Sequence, residues 1–537
     1  MNSRPRIRLQ YVAWTAVLAI ATGFPSKAAD SGGEDIGSSL KLFTKVLDLV
    51  ESNFAEKVNP QKALYEGAIP GMLRTLDPHS SFFDPKELQR FRENQRGQYF
   101  GVGMLVGFRN GHVTVQHPFE NSPAKKAGLR PGDQIFRVNG KNTEKSTVEE
   151  VVQLLKGPRG TPVQVSVKRE GRFDLVTFDL YRDQVERPSV PTYLWLKPGV
   201  GYVRIETFNQ NTSREFENAL KTLGEDKMEG LIIDLRDNGG GILQEAVAVV
   251  ERFLERGQAI VSQRGRISTE HSYTARRGNA GRKYPLVVMV DRGSASASEI
   301  LSGALQDHDR AWIFGDNTFG KGLVQAPYEL SGDCSLLLTV ARFYTPSGRL
   351  IQRDYSKGSF FEYYYKQNTA TRNPRDQKAT DSGRIVYGGG GIAPDEKYEP
   401  PPLNRLQMTL LGRGAFFYFT AAYFGPKEEA RLPRNWEVDE ITLMEFKKFL
   451  GDRNIPYLES EFQQNLDWIK RQLRIEMLTT GVGKEYADEV AMATDPEVLK
   501  AAESLPKARA LLEKSRRMVA ERKESSPENG KISNGRF

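Results

Sequence analysis

Between Gly199 and Pro346 short apolar runs alternate with amphipathic stripes, and no other feature constrains the fold of this chain as strongly. Residues 200–205, 230–235 and 285–290 read as strands, and 213–223, 243–254 and 297–306 read as helices. A run such as Leu286-Val-Val-Met-Val290 is apolar at every position, which suits a strand buried on both faces. The alternation therefore predicts an α/β core whose sheet is covered by helices. At 537 residues the chain is too long for that core alone, since a domain takes about 100 to 200 residues.

The flanking segments have other textures. From 98 to 183, Val163, Val165 and Val167 alternate with polar residues, as do Val176, Phe178 and Leu180. Val148, Val151, Val152 and Leu155 form a helical stripe behind a capping box of Ser146 and Glu149. This segment predicts a β-sandwich around one helix. Residues 36–97 read as short helices, with an apolar stripe at Leu42, Val46, Leu49 and Val50 and breaks at Asn59-Pro60, Pro70-Gly71 and Asp77-Pro78. His79 follows the last break and is assigned no chemistry. Residues 353–385 read as an irregular insertion. After Pro400-Pro401-Pro402 the pattern is helical over 399–513, with Thr442 and Glu445 capping a stripe of Phe446, Phe449 and Leu450. Residues 514–537 read as a frayed helix running into a disordered tail.

Arg4, Arg6 and Arg8 precede an apolar run from Tyr11 to Phe24, followed by Ser26, Ala28 and Ala29, the order of a cleaved secretory signal over 1–28. The run is shorter than the roughly 18 residues a membrane span needs. Export implies a periplasmic or other extracytoplasmic location. The net charge of +8 is terminal: residues 1–28 carry +4, 505–525 +4 and 526–537 +1, which leaves −1 for 29–504. A near-neutral body gives no electrostatic reason to bind nucleic acid. The single cysteine, Cys334, excludes an internal disulfide, and the five histidines show no metal-binding spacing.

Three turns carry chemistry. Gly315 to Lys321 has phosphate-loop spacing, but Gly322 stands where the magnesium-binding Ser or Thr belongs and a strand follows, so nucleotide binding is rejected. After the strand 286–290, Ser294, Ser296 and Ser298 lie on a turn of small residues that opens a helix, where a hydroxyl can be presented beside free amides. Ser296-x-x-Glu299 also reads as a plain capping box. Lys321 opens a strand containing Gln325, and the period of two puts both side chains on one face. A lysine serves as base to a serine when burial lowers its pKa, and Gln325 holds the amine without adding charge. Asp234-Leu-Arg236-Asp-Asn-Gly239-Gly240-Gly241 forms a third turn, whose glycines suit an oxyanion hole or simply a tight bend.

Together with Leu76-Asp77-Pro78-His79-Ser80, Tyr99 to Gly103, Gly128 to Gly140, Ala341 to Arg349 and Gly391 to Asp395, these segments resemble the carboxyl-terminal processing peptidases over about residues 40 to 396. The resemblance implies an α/β multidomain chain: a crotonase-like peptidase core over 184–398, an inserted PDZ β-sandwich, and helical N- and C-terminal regions. It implies a serine endopeptidase with Ser296 as nucleophile, Lys321 as general base and Gln325 as orienter, without cofactor or metal. Oxyanion donors fall at Ala297 and at Gly240 or Gly241; the family commonly has Pro at the position of Gly239. Gly101, Val102, Gly103 and Met104 are expected to take the carboxylate of a polypeptide C-terminus. Partners are substrate C-termini, an adaptor protein and further copies of the chain in a homo-oligomer. The alternative is a noncatalytic or latent PDZ scaffold.

Overall fold

The computed structural model of the chain describes residues 33–267, 270–356, 360–365 and 376–525. The expected signal sequence and the end of the expected tail, 526–537, lie outside the described residues. The alternating segment forms a six-stranded sheet in the order Thr192–Lys197, Val200–Arg204, Gly230–Asp234, Leu286–Val290, Ala311–Gly315, Glu396–Lys397. The first strand is antiparallel to its neighbour and the other pairs are parallel.

The period of two along each strand divides its side chains between two cores. Ile233 and Val288 join Phe216, Val249 and Leu301 from the helices Thr212–Leu223, Leu243–Glu251 and Ala297–Asp307. Tyr202, Ile232, Val287 and Met289 face the other way and are covered by Val498, Ala501 and Ala508 of the C-terminal helices Pro496–Glu503 and Leu505–Ser525. A strand apolar on both faces needs cover on both, and the distant C-terminal region supplies the second layer.

A second sheet runs Ser81–Phe83, Cys334–Tyr344, Ala259–Arg264, His271–Thr274, with Leu323–Leu330 also paired to Cys334–Tyr344. Ser81–Phe83 precedes the β-rich segment yet pairs with Cys334–Tyr344, so the β-rich module is inserted within the core. That module is a five-stranded path from Met104–Arg109 to Val176–Tyr181 with Val163, Val165 and Val167 buried, and Gln98–Gly101 pairs with Asp183–Glu186 where the chain enters and leaves. The C-terminal region also holds this module. The Arg109 guanidinium lies 4.4 Å over the Phe417 ring, and Arg130 donates to the carbonyls of Phe424 (3.2 Å) and Lys427 (2.9 Å).

Several local expectations are corrected. The module helix is capped by Thr147 and Glu150, one residue beyond the expected Ser146 and Glu149. Ser-Thr-Val-Glu-Glu satisfies the box in both registers, and the extended backbone of Thr147 decides. Asp439, not Thr442, caps Glu440–Asp452; Thr442 donates both its amide and its hydroxyl to Asp439 Oδ1. Residues 514–525, expected as a frayed helix, form the end of the helix Leu505–Ser525, anchored by Ala508, Leu511 and Leu512. The N-terminal stripe forms the helix Gly33–Asn53, but Leu42, Val46, Leu49 and Val50 stay exposed.

Candidate active site

The turn after Leu286–Val290 places Ser296 at the mouth of the helix Ala297–Asp307 with φ 56° and ψ −110°. An L-residue with positive φ outside a glycine is strained, and such strain persists only where surrounding contacts impose it. Those contacts come largely from Glu299. Its fully buried carboxylate accepts the amides of Ser296 (2.8 Å), Lys321 (2.9 Å) and Gly320 (2.7 Å) and the hydroxyl of Thr318 (2.6 Å). One oxygen, Oε2, receives both the Ser296 and the Lys321 amide, which ties the two turns together. Burial pushes the Glu299 carboxyl up to about 7, against the pull of those four donors.

Half of the expected capping box is thus present and half is not. Glu299 reaches back to the Ser296 amide, but Ser296 Oγ, itself buried, has no hydrogen-bond partner among the described residues. The hydroxyl is left available rather than spent on the helix. The Ala297 amide, next along the helix mouth, likewise donates to no group among the described residues.

Lys321 is buried, and burial pushes its amine down to about 8, with Asp77 and Glu299 pulling weakly the other way. No carboxylate pairs with it among the described residues; its Nζ donates to Gln325 Oε1 at 2.9 Å. Gln325 Nε2 in turn donates to the His79 carbonyl at 2.5 Å, which fixes the direction in which the amide oxygen points. Lys321 and Gln325 meet as expected from their spacing, although the strand begins at Leu323 and carries a bulge between Val324 and Gln325.

The third turn is braced against the first. Asn238 O accepts the Ala295 amide (3.0 Å) and the Ser298 hydroxyl (2.8 Å), and Leu235 O accepts the Ser294 hydroxyl (2.8 Å). A Cβ on Gly240 would stand 2.8 Å from Ser296 Cβ and 2.9 Å from Ala297 N, so only glycine lets this turn lie against the helix mouth. Gly240 differs from its expected role in one respect. Its N–H donates to Asn238 Oδ1 at 2.9 Å, whereas the Gly241 amide donates to no group among the described residues.

In the β-rich module, Val102, Gly103 and Met104 line a groove of about 200 Å³ together with Val152 and Leu155 of the helix Val148–Leu155. Gly101, expected with them, is paired with Asp183 in the sheet and does not line the groove. Lys156 and Glu93 form a 2.5 Å ion pair at its rim. This groove and Ser296 belong to separate parts of the fold.

Four contributors were missed in the sequence. Glu299 was read only as a cap, and nothing in sequence placed Thr318 beside it. His79, assigned no chemistry, is buried at the site; its Nε2 lies 2.9 Å from the Tyr363 hydroxyl, and burial with the nearby Lys321 and Arg353 charges pushes it down to about 2. Tyr363, from the insertion read as irregular, forms the helix Phe360–Tyr365 and packs with Ala295 and Phe319. The sequence signal was Asp77-Pro78-His79, which entered as a break and as part of the family resemblance without a role for His79.

A buried serine hydroxyl, a buried lysine and unengaged amides at a helix mouth are groups that acyl transfer can use. The family models agree: peptidase family S41 matches residues 199–357, a PDZ domain 119–169, and the activating protease CtpB N-terminal domain 16–87. The chain is 37% identical over 318 residues to a carboxy-terminal-processing protease of Bartonella bacilliformis, covering 58% of this chain and 72% of that relative. It is 34% identical over 312 residues to the carboxy-terminal processing protease CtpB of Bacillus subtilis, covering 58% and 65%. Among solved structures, a photosystem II D1 C-terminal processing protease is similar at 29% identity and a TM-score of 0.35, covering 69% of this chain and 97% of that one. The chain belongs to the carboxy-terminal processing proteases of peptidase family S41, with a PDZ domain set into the peptidase core.

The lysine environment makes a prediction that needs no assay of turnover. An amine held at about 8 when folded and near 10.5 when unfolded keeps more protons in the unfolded state between those values. Folding stability is expected to gain from this group as pH rises from about 8 toward 10.5. Melting curves across that range are expected to show the gain in the wild type and to lose it in Lys321→Met; equal pH slopes in the two proteins would contradict the burial.

Proposed function

We propose that the chain is an exported serine endopeptidase that captures polypeptide C-termini in its PDZ groove and cleaves them with a Ser296/Lys321 dyad. The observation that carries this reading is Lys321: a buried amine without a counter-ion among the described residues, bonded to a neutral amide, and tied by its backbone to the carboxylate that holds the Ser296 amide. Ser296 Oγ attacks the substrate carbonyl carbon while Lys321 Nζ accepts the hydroxyl proton. The tetrahedral oxyanion takes hydrogen bonds from the amides of Ala297 and Gly241. Lys321 then gives its proton to the departing amine as the C–N bond breaks, leaving an ester on Ser296. Water attacks the ester as Lys321 takes its proton, and Lys321 returns that proton to Ser296 Oγ as the C–O bond breaks, which releases the acid and restores the free hydroxyl and amine.

In the present arrangement the amine is bonded to Gln325 and Ser296 Oγ has no partner among the described residues, so the dyad closes when Lys321 Nζ turns toward the hydroxyl. Catalytic hydrogen bonds often tighten only once substrate is present. The same observation favours a second reading, a latent PDZ scaffold, and labelling of Ser296 by a fluorophosphonate probe separates the two. An adaptor or a second copy of the chain has a place to dock on the exposed apolar stripe of Gly33–Asn53.

Ser296→Ala and Lys321→Ala are each expected to reduce hydrolysis of an unstructured peptide by about three orders of magnitude or more while the protein stays folded. Near-normal turnover by either variant excludes the dyad. With an amine at about 8, kcat/KM is expected to rise about tenfold per pH unit below that value and to level off above it. A flat profile from pH 6 to 9 contradicts a lysine base. Export predicts a mature N-terminus at Ala29, read by intact-mass measurement of the extracytoplasmic fraction; a full-length chain there contradicts cleavage.

A further inference from the structure

The peptidase family model ends at residue 357, yet the active-site turn is held by acids from far beyond it. Arg236, in the Asp234–Gly241 turn, donates through Nη1 to Glu497 Oε2 at 2.7 Å and through Nη2 to Asp495 Oδ2 at 3.1 Å. On its other side its Nε and Nη2 fork onto the fully buried Asp234, at 3.0 and 2.7 Å to Oδ2. Asp234 already receives Tyr202 and Arg204. Burial alone would raise this carboxyl, but Arg204 and Arg236 overrule it and hold it at about 2. Two guanidiniums meet this one carboxylate in a site largely shut off from water; Glu206 lies 3.8 Å from Arg204, and Asp495 and Glu497 are the further acids that engage Arg236.

We propose that Asp495 and Glu497 are positioning residues of the active site, which hold Arg236 and through it set the glycine turn against Ser296. This rests on the Ser296/Lys321 reading above and extends it to the C-terminal helical region. The route is a continuous set of hydrogen bonds. The Arg236 amide donates to Asp234 Oδ1 (2.9 Å), the Asn238 amide to Leu235 O (3.1 Å), and the Gly240 amide to Asn238 Oδ1 (2.9 Å). Gly240 then lies against Ser296 Cβ and Ala297 N. A turn braced from one end to the other moves as a unit, so releasing Arg236 tilts the oxyanion side of the site relative to the hydroxyl. Asp495 caps the helix Pro496–Glu503, whose Val498 and Ala501 seal the outer face of the sheet, so the two acids are delivered by elements that are themselves packed.

The test uses the full-length protein carrying Asp495→Asn and Glu497→Gln together. The kcat for an unstructured peptide is expected to fall about 10- to 100-fold, the range in which small misplacements act. KM and the affinity of the PDZ groove for a C-terminal peptide are expected to stay within twofold of wild type. The rate of Ser296 labelling by a fluorophosphonate is expected to fall in parallel. Asp495→Glu with Glu497→Asp, which keeps both carboxylates, is expected to recover most of the rate. A purely structural role predicts a lower melting temperature with an unchanged kcat per titrated active site, and that result overturns the proposal. Should the double variant not fold, Glu497→Gln alone is measured in the same way, and an unaltered kcat there overturns it equally. Ser296→Ala is assayed alongside. If it stays active the dyad reading fails; if it is inactive while the acid variants turn over normally, only the present proposal fails.

Discussion

One buried carboxylate fixes the relation between the two turns that carry the chemistry. Glu299 sits on the first turn of a helix, where a negative charge is favoured by the helix dipole, and accepts donors from Ser296, Thr318, Gly320 and Lys321. A buried carboxylate without partners is costly, whereas one with four donors is held in a single orientation. Remove it and the Ser296 turn and the Lys321 loop lose their common support, and a serine at φ 56° loses a contact that holds it there.

The site is arranged so that its positive charges are treated in opposite ways. Lys321 is given burial and a neutral amide, which favours the free amine. Arg236 is given three acids, Asp234, Asp495 and Glu497, which keep the guanidinium charged and fixed. Burial penalises charge in both cases, and the difference lies in what else is within reach. A carboxylate paired with the Lys321 amine would stabilise its protonated form. The covering of the outer sheet face by the C-terminal helices belongs to the same arrangement, because the region that buries Tyr202, Ile232 and Met289 also brings the acids to Arg236.

Much of this was legible in the chain. The strands 230–235 and 285–290 were readable because apolar runs flanked by small-residue turns have few alternative structures, and the spacing of Lys321 and Gln325 placed their side chains together despite the intervening bulge. Capping was readable only to within one residue, because Ser146-Thr147 and Glu149-Glu150 satisfy the same rule in two registers. The apolar stripe of Gly33–Asn53 predicted the helix correctly, but a stripe does not say whether anything covers it. The helix over 514–525 was legible only as a frayed end, because its charged residues share the helix with Ala508, Leu511 and Leu512, whose burial the charge pattern does not show.

What the sequence determined alone was local: the alternation of strand and helix, the strand-to-helix turn with its serines, and the glycine-rich turn that lets backbones come close. Only the tertiary structure decided which polar groups would share a partner. His79 and Gln325 are 246 residues apart, as marked by the hydrogen bond between them, and Arg236 and Glu497 are separated by 261. Such pairings follow from how two sheets and their covering helices stack. The free energy of burying a lysine or a carboxylate depends on every group around it, so periodicity along the chain carries no record of it.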